Sequence, residues 1–240
     1  MQTIERIYPL QLDPSHPDDS STLEIHLERY RYAAENVSGA RILDMACGCG
    51  YGSALLAEQN PDKQVIGVDI DSGAIAYAHA HYQLPNLKYV CADATTFRDQ
   101  PFDTIVCLET IEHLPGPRAL IAHYSSLLAR GGRIIASVPI TPTRDGNPYH
   151  LSDFSRRSFL ALFRAHGLSP LDELEQIQNW QFQGIFKPMG TTTARSEGVG
   201  RNVLLFYTRH PLYVLRRIYS MLRYGFSNRY LTGVFVSPKS

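Results

Sequence analysis

The chain has 240 residues, with 23 basic and 23 acidic side chains and a formal net charge of zero. This length suffices for one α/β domain with a full core, and the balanced charge argues against a nucleic-acid-binding protein. From Thr191 onward, however, eight arginines and lysines stand against one acid. Such a basic tail fits an acidic substrate, an anionic surface or a solvated face.

The sequence shows no signal for export or for a membrane span. The first 20 residues are polar and contain proline, and no apolar run approaches the roughly 20 residues that cross a bilayer. We therefore expect a cytoplasmic protein with no nucleic-acid partner. Any membrane contact would be peripheral, and a homodimer is an open alternative.

The first two thirds of the chain alternate between helices and strands. A helix is predicted from about Ser20 to Asn36. The strands that follow are near-continuously apolar and are separated by helices of about ten residues, which indicates a parallel sheet covered on both faces. The predicted strands are 40–46, 64–70, 87–93, 102–109 and 133–139, and the helices between them are 53–59, 73–82 and 119–129.

The last hundred residues are less regular, and nothing in them marks an independent second domain. We predict a single domain with an N-terminal cap (1–38), a ligand-binding core (39–140) and an acceptor-side segment (141–240). The elements predicted in that segment are a loop (141–153), a helix (154–167), an edge strand or short helix (168–178), a mobile insertion (184–200), a strand (203–209), an amphipathic helix (211–225) and a last strand (231–239).

Glycines cluster directly after the first predicted strand. Asp44 ends that strand, and Gly48, Gly50 and Gly52 follow at alternate positions. Glycine lets a ligand approach the backbone, so the turn suits a nucleoside-like ligand. Because the acid precedes the glycines, a dinucleotide phosphate is disfavoured and a cationic ligand is favoured.

Acidic residues also end the next two strands. Asp69 follows Gly50 by 19 residues, where a carboxylate can accept hydrogen bonds from both ribose hydroxyls. Asp93 ends the third strand, within reach of an adenine amino group, with a loop or helix-capping role as the alternative. The spacing of these motifs is that of a nucleoside site.

Together the motifs resemble the class I S-adenosylmethionine (SAM)-dependent methyltransferases. The matching segments are DMACGCGYG, VDID, ADA and FDTIVCLETIEHL, and they are most similar to small-molecule enzymes of the ubiquinone pathway and of sugars. HLERYRYA (26–33) and NPYHLSDFS (147–155) resemble segments of methyltransferases encoded with glycan-assembly enzymes. The resemblance implies an α/β, Rossmann-like fold. It has a seven-stranded, mostly parallel sheet with helices on both faces, an N-terminal helical segment and a C-terminal lid.

The resemblance also implies the site residues. A residue of the N-terminal helix, Tyr30 or Arg31, would bind the carboxylate of SAM, although Arg31 could equally be a surface residue. The implied cofactor contacts are Asp44, Ala46, Gly48 and Gly50 at the methionine and ribose, Asp69 and Ile70 at the ribose and adenine, Asp93 and Ala94 at the adenine, and Leu108 near the sulfonium.

Two histidines are candidates for the base that a hydroxyl acceptor requires. His113 follows the strand that points at the methyl group. His150 lies in the loop after the fifth strand, where open α/β sheets bind ligands, and Asp153 could orient it. The alternative for each histidine is a structural hydrogen bond in a loop.

A divalent cation is a further alternative. Glu109, Glu112 and His113 stand at i, i+3 and i+4, which is one face of the chain if this turn is helical. Two carboxylates and an imidazole can bind a metal, and some of the resembling methyltransferases use such a triplet. Others with the same letters bind none, so metal use stays open.

The C-terminal helix carries an apolar stripe of Leu212, Leu215, Ile218, Tyr219 and Leu222. We expect this stripe to pack on the protein's own core. An anionic membrane or a lipid-linked substrate are the alternatives.

The sequence therefore predicts an enzyme that transfers the methyl group of SAM to a small-molecule acceptor and leaves S-adenosylhomocysteine. The expected acceptor group is a hydroxyl of a sugar, a glycolipid or a related metabolite. Transfer to nitrogen or carbon of another metabolite is one alternative. A nicotinamide-dependent oxidoreductase and a SAM-binding protein without activity are the others.

Overall fold

The computed structural model describes residues 7–12, 17–145, 147, 149–179 and 206–238. None of the helices within these ranges is long and apolar enough to cross a membrane. The strands are β1 (Arg41–Met45), β2 (Gln64–Asp69), β3 (Leu87–Cys91), β4 (Phe102–Leu108), β5 (Leu128–Pro139), β6 (Ser169–Asn179) and β7 (Ser227–Val236). The helices are α1 (Pro17–Asn36), α2 (Tyr51–Gln59), α3 (Ser72–His81), α4 (Pro117–Leu127), α5 (Arg156–Arg164) and α6 (Leu212–Tyr224).

All seven strands form one sheet in the order β3-β2-β1-β4-β5-β7-β6. Strands β1 to β5 are parallel, and β7 runs antiparallel between β5 and β6. The predicted Rossmann-like fold is thereby confirmed. Because the carboxyl ends of β1 to β4 meet at one edge, the loops after these strands face a shared ligand crevice.

The sheet has a core on both of its faces. Ile42 and Val106 pack on one face with residues of α1 and α2. Leu43 and Ile105 pack on the other face with residues of α4 and α5. Burial of alternate residues on both faces explains why these strands have near-continuous apolar sequences.

Residues 168–178, predicted as an edge strand or short helix, contribute to the 11-residue strand β6 at the edge of the sheet. The C-terminal part departs from the prediction in two places. Residues 206–209, predicted as part of a strand, are helical. Strand β7 begins at Ser227 instead of 231, because it pairs with β6 along its whole length and backbone pairing extends a strand beyond its apolar stretch. The predicted insertion 184–200 lies outside the described residues.

Helix α6 is formed as predicted but packs differently. Its apolar stripe is exposed, with Leu212, Leu215 and Leu222 at 79%, 65% and 83% of their accessible area. The face towards the domain carries Tyr213, which is buried, and Arg217, which pairs with Asp145. The expectation that the stripe packs on the core was therefore wrong, because polar pairs hold the opposite face of the helix against the domain.

Candidate active site

The turn after β1 has left-handed backbone at three positions. Ala46, Gly48 and Gly50 have φ angles of 61°, 58° and 88°. A Cβ atom on Gly50 would lie 2.6 Å from the Cβ of Ala78 and 2.8 Å from the hydroxyl of Tyr89, so only glycine fits. A Cβ atom on Gly48 would meet nothing within 4 Å, which leaves the backbone there open to a ligand.

Asp44, the strand residue before this turn, is fully buried. Its carboxylate accepts a hydrogen bond from the Ser53 hydroxyl at 2.5 Å and another from the Tyr30 hydroxyl at 3.3 Å. Burial, with a smaller contribution from the charge of Asp69, raises the pKa of Asp44 to about 7. A cationic ligand at the turn would favour the charged form of Asp44, whereas a phosphate would not. Tyr30, a candidate for binding the carboxylate of the ligand, is thus found at the carboxylate of Asp44.

Asp69, at the end of β2, binds two separate turns. One carboxylate oxygen accepts a hydrogen bond from the amide of Gly48 at 2.9 Å, and the other accepts one from the amide of Asp71 at 2.9 Å. Carboxylate oxygens have further lone pairs, so the same group can also accept from ribose hydroxyls. Ile70 is 66% exposed and provides apolar surface next to it.

Asp93 follows β3, which neighbours β2 in the sheet. Its Oδ1 accepts hydrogen bonds from the hydroxyl and the amide of Thr95, at 2.7 and 2.8 Å. These bonds hold the pKa of the exposed Asp93 below its usual range. The contact with Thr95 is the loop role left open as the alternative, and a role at the adenine stays a prediction. Ala94 and Leu108 are half-buried at the same edge.

Helix α1 directs Arg29 into the domain, a residue that the sequence analysis did not single out. Arg29 is 1% exposed, and its guanidinium lies 4.4 Å from the centre of the Tyr230 ring. Its Nε donates to Gln176 at 2.7 Å, and its Nη1, which has no hydrogen-bond partner among the described residues, lies 3.6 Å from Glu109. The sequence feature that could have identified Arg29 is its position four residues before Ala33, because residues at this spacing lie on the same face of a helix and Ala33 is buried.

Arg31, in contrast, takes the surface role that was left open for it. It pairs with Glu24 at 2.5 Å, and 45% of its side chain is exposed. Two residues further along the helix, the chain has turned by more than half a turn, so Arg31 and Arg29 face different surroundings. Arg29 is thus the better-placed cation for an anionic ligand.

A cleft of about 160 Å³ lies beside Arg29. Its His26 contacts the hydroxyl of Tyr51, the first residue of α2, at 3.2 Å, so the cleft adjoins the glycine turn. Burial and, secondarily, the charge of Arg29 lower the pKa of His26 to about 3, which leaves Arg29 as the cation here. The lining residues are Thr22, Ile25, His26, Arg29, Gln178 and Tyr230.

Glu109, directly after β4, turns away from Glu112 and His113, with which it would share a face in the metal alternative. Its backbone is left-handed, with a φ of 48°. Its Oε1 accepts a hydrogen bond from the Ser137 hydroxyl at 2.7 Å, on the side of β5. The helical turn starts only at Ile111, so the assumed i, i+3, i+4 face is not formed. The structure therefore does not form the side-chain arrangement assumed for the metal alternative, and metal use stays open.

The structure brings together the two histidines that the sequence named. The ring centres of His113 and His150 are 4.5 Å apart, with the planes at 75°. The carbonyl oxygen of Glu112 accepts hydrogen bonds from the amides of Leu151 and Ser152 at 2.8 and 3.1 Å, which holds the loop against the turn after β4. Candidate ligand atoms of Glu112, His113 and His150 all lie within 4.8 Å of one another.

The two histidines differ in their surroundings. His113 Nδ1 lies 3.2 Å from the carbonyl oxygen of Tyr149, which can only accept, so this nitrogen carries the proton and Nε2 carries the lone pair. Nε2 lies 4.0 Å from the carboxyl group of Glu112, whose side chain is only 1% exposed. Burial and the neighbouring His113 lower the pKa of His150 to about 3, so His150 stays neutral.

Asp153 was proposed to orient His150, and the structure links the two side chains indirectly, through Thr143. Its Oδ1 accepts a hydrogen bond from the amide of Thr143 at 3.0 Å, and the Thr143 hydroxyl lies 2.6 Å from His150 Nδ1. The orientation of His150 is thus set through Thr143.

Comparison with known proteins relates this site to a described family. Residues 43–136 match the family described as a methyltransferase domain. A probable SAM-dependent methyltransferase of Mycolicibacterium smegmatis is 26% identical over 167 residues, which are 67% of this chain and 64% of that protein. The ubiquinone biosynthesis O-methyltransferase of Coxiella burnetii is 35% identical over 115 residues, 45% of this chain and 48% of its own.

Among solved structures, the fold is similar to N-methyltransferase NodS of Bradyrhizobium japonicum in complex with S-adenosyl-L-homocysteine. The TM-score is 0.59 at 15% identity, over 98% of this chain and 94% of that one. This likeness concerns the fold alone. Against the two curated relatives, the chain spans about two thirds (64%) and about half (48%) of their lengths.

Proposed function

Because this chain belongs to the class I SAM-dependent methyltransferase family, we propose that it transfers a methyl group from SAM to a hydroxyl of a small-molecule acceptor. The observation that carries the hydroxyl assignment is the placing of His113, beside the end of β4, between the ring of His150 and the carboxyl group of Glu112. A hydroxyl must lose its proton during transfer, and a paired imidazole and carboxylate can take it.

The residues of the turn fit the cofactor in charge and in shape. Gly48 leaves its backbone open, and the Asp69 carboxylate, bonded to the amide of Gly48, can also accept from ribose hydroxyls. Asp44 and Asp69 favour cations over phosphates. Arg29 supplies a buried positive charge for the carboxylate of the methionine part of SAM. This charge pattern disfavours a nicotinamide dinucleotide, the main alternative cofactor.

The chemistry of transfer leaves the protein with two tasks. Bound SAM supplies an activated methyl group, so the chain has to align the acceptor and remove its proton. We assign the proton to Nε2 of His113, where Glu112 stabilises the resulting charge at 4.0 Å. His150, neutral because of burial, orients the acceptor through a hydrogen bond.

The acceptor is proposed as a hydroxylated metabolite, with sugars and phenols as the two classes to separate. The similarity of segments 26–33 and 147–155 to glycan-associated methyltransferases favours a sugar or glycolipid. The ubiquinone-pathway relatives favour a phenol, although this chain covers only about half of their length (48%). Transfer to nitrogen or carbon would not require the base and is the alternative that a His113 variant tests.

The first experiment is calorimetric titration with S-adenosylhomocysteine and, in parallel, with NADH. Binding of the former alone would support the cofactor assignment, and binding of NADH alone would reverse it. Transfer of labelled methyl groups is then measured with a sugar panel and a catechol panel. We expect His113→Asn to retain S-adenosylhomocysteine binding and to lose about 100-fold or more in kcat. Unchanged turnover would remove the base role.

A divalent cation at Glu112, His113 and His150 is the second candidate for activating the hydroxyl. One carboxylate and two imidazoles suit a transition metal or zinc, and the candidate ligand atoms are close enough to share one ion. Such an ion would supply positive charge to lower the pKa of an acceptor hydroxyl. Metal analysis of the purified protein, and activity before and after chelation, distinguish this candidate from the metal-free base.

A further inference from the structure

The outward face of α6 is an exposed apolar stripe. Leu212, Leu215, Tyr219 and Leu222 are 79%, 65%, 65% and 83% exposed, and Ile218 is 47% exposed. Their spacing puts them on one side of the helix. Monomeric proteins rarely expose contiguous apolar surfaces of this kind, so the stripe marks an interaction site.

Specific polar bonds on the opposite face hold the stripe outward. The Tyr213 hydroxyl donates to Asp153 at 2.7 Å, and Nε of Arg217 donates to Asp145 at 2.7 Å. The Tyr207 hydroxyl, just before the helix, donates to the same Asp145 at 2.5 Å. Rotating the helix to bury its leucines would break these bonds and leave the two carboxylates without them, which is costly. The exposure is therefore a built feature of the docked helix.

The edge of the stripe is cationic. Arg216 and Arg223 are exposed and stand seven residues apart on α6, close to two helical turns. Arg209, also exposed, lies in the short helical segment just before α6. Arg216 also lies 3.5 Å from Asp153, with 46% of its side chain exposed. Residues 206–238 contain no aspartate or glutamate. The surface that complements this one is apolar inside and negatively charged at its boundary.

We propose that α6 docks the protein on the surface of an anionic phospholipid membrane. The stripe enters the boundary between headgroups and acyl chains, and the three arginines contact lipid phosphates. A second copy of the chain fits less well. A two-fold contact through the stripe would bring its arginines together, and this segment has no acid to pair them.

Docking through α6 also bears on the proposed function. Asp153 accepts from Tyr213 of the helix and from the amide of Thr143, whose hydroxyl contacts His150. The helix at the membrane is thus bonded to the loop that carries a candidate active-site histidine. If the proposed methyl transfer holds, the acceptor is an amphiphile taken from the membrane. The docking itself does not depend on that activity.

The test is co-sedimentation of the full chain with vesicles of phosphatidylcholine and phosphatidylglycerol, compared with pure phosphatidylcholine. We expect binding to the anionic vesicles, weakened by salt. The variant Leu215→Asp with Leu222→Asp should lower the partition coefficient at least tenfold, while Leu171→Asp, on exposed β6, should not. Arg209→Glu with Arg223→Glu should lower it by about fivefold or more per arginine, unlike Arg157→Glu on α5.

Three outcomes would overturn the proposal. They are no binding to anionic vesicles, equal binding to both vesicle types, and unchanged binding of the stripe variant. Light scattering without vesicles shows whether the stripe instead joins two copies. A dimer that Leu215→Asp and Leu222→Asp dissociate, in a protein that ignores vesicles, would assign the stripe to a second copy. Thermal melting followed by circular dichroism checks that each variant is folded. We expect all of them to fold, because the substituted residues are exposed.

Discussion

Replacing Asp69 by alanine tests the cofactor site most directly. The substitution removes two charge-assisted hydrogen bonds, from the amides of Gly48 and Asp71 at 2.9 Å each, in a side chain that is only 4% exposed. Such bonds contribute about 1.5–3 kcal/mol each, and water can replace part of them, so the free energy of unfolding should fall by about 2–4 kcal/mol. Loss of the two ribose bonds should weaken S-adenosylhomocysteine binding by about 100-fold.

The assay for Asp69→Ala combines denaturant unfolding with calorimetric titration, so that stability and affinity are measured on the same protein. Asp71→Ala is the matched control, because Asp71 also accepts from two amides, those of Gly73 and Ala74 at 2.8 and 2.9 Å. It caps α3, so its loss should cost about 1 kcal/mol of stability without changing affinity. A folded Asp69→Ala protein with wild-type affinity would refute the assignment. Equal losses of affinity in both variants would place the effect in the turn and not in the ribose contact.

Three further predictions concern charge and protonation. Arg29→Gln should weaken binding of S-adenosylhomocysteine more than tenfold but leave binding of methylthioadenosine, which has no carboxylate, unchanged; equal weakening of both ligands would contradict a carboxylate contact. Because the pKa of Asp44 is raised to about 7 and a cation favours its charged form, ligand binding near pH 7 should release up to about half a proton per molecule. Calorimetry in buffers of different ionisation enthalpy measures this release, and Asp44→Asn should abolish it. His26 and His150 have pKa values lowered from 6.5 to about 3 in the folded protein, so their contribution to stability is fully present above pH 6.5 and is lost as the pH falls towards 3. At pH 5 the free energy of unfolding should be lower than above pH 6.5 by up to about 2 kcal/mol for each histidine. The variant His150→Asn should lack the part of this pH dependence that His150 contributes, and an unchanged pH dependence would contradict the assignment.

Much of the fold and of the cofactor turn follows from local patterns in the sequence. Near-continuous apolar strands such as 102–109 indicate a sheet buried on both faces, and parallel strands put their carboxyl ends at one edge. Asp44, Gly48, Gly50 and Asp69 stand at those ends by spacing alone, so their neighbourhood could be predicted without coordinates. His113 and His150 could be named for the same reason, because each follows a strand.

The tertiary structure decided which side chains meet. Arg29 and not Arg31 enters the domain, since helix phase is set by what α1 packs against. Glu109 turns towards Ser137 because its left-handed backbone precedes the helical turn. The loop after β5 brings His150 beside His113, a contact that their spacing in the sequence does not indicate. Helix α6 exposes its leucines because Asp145 and Asp153 bind its polar face. The periodicity of a sequence shows which face of an element is apolar. It does not show which distant side chains that face will contact, because those contacts form only when the elements pack together.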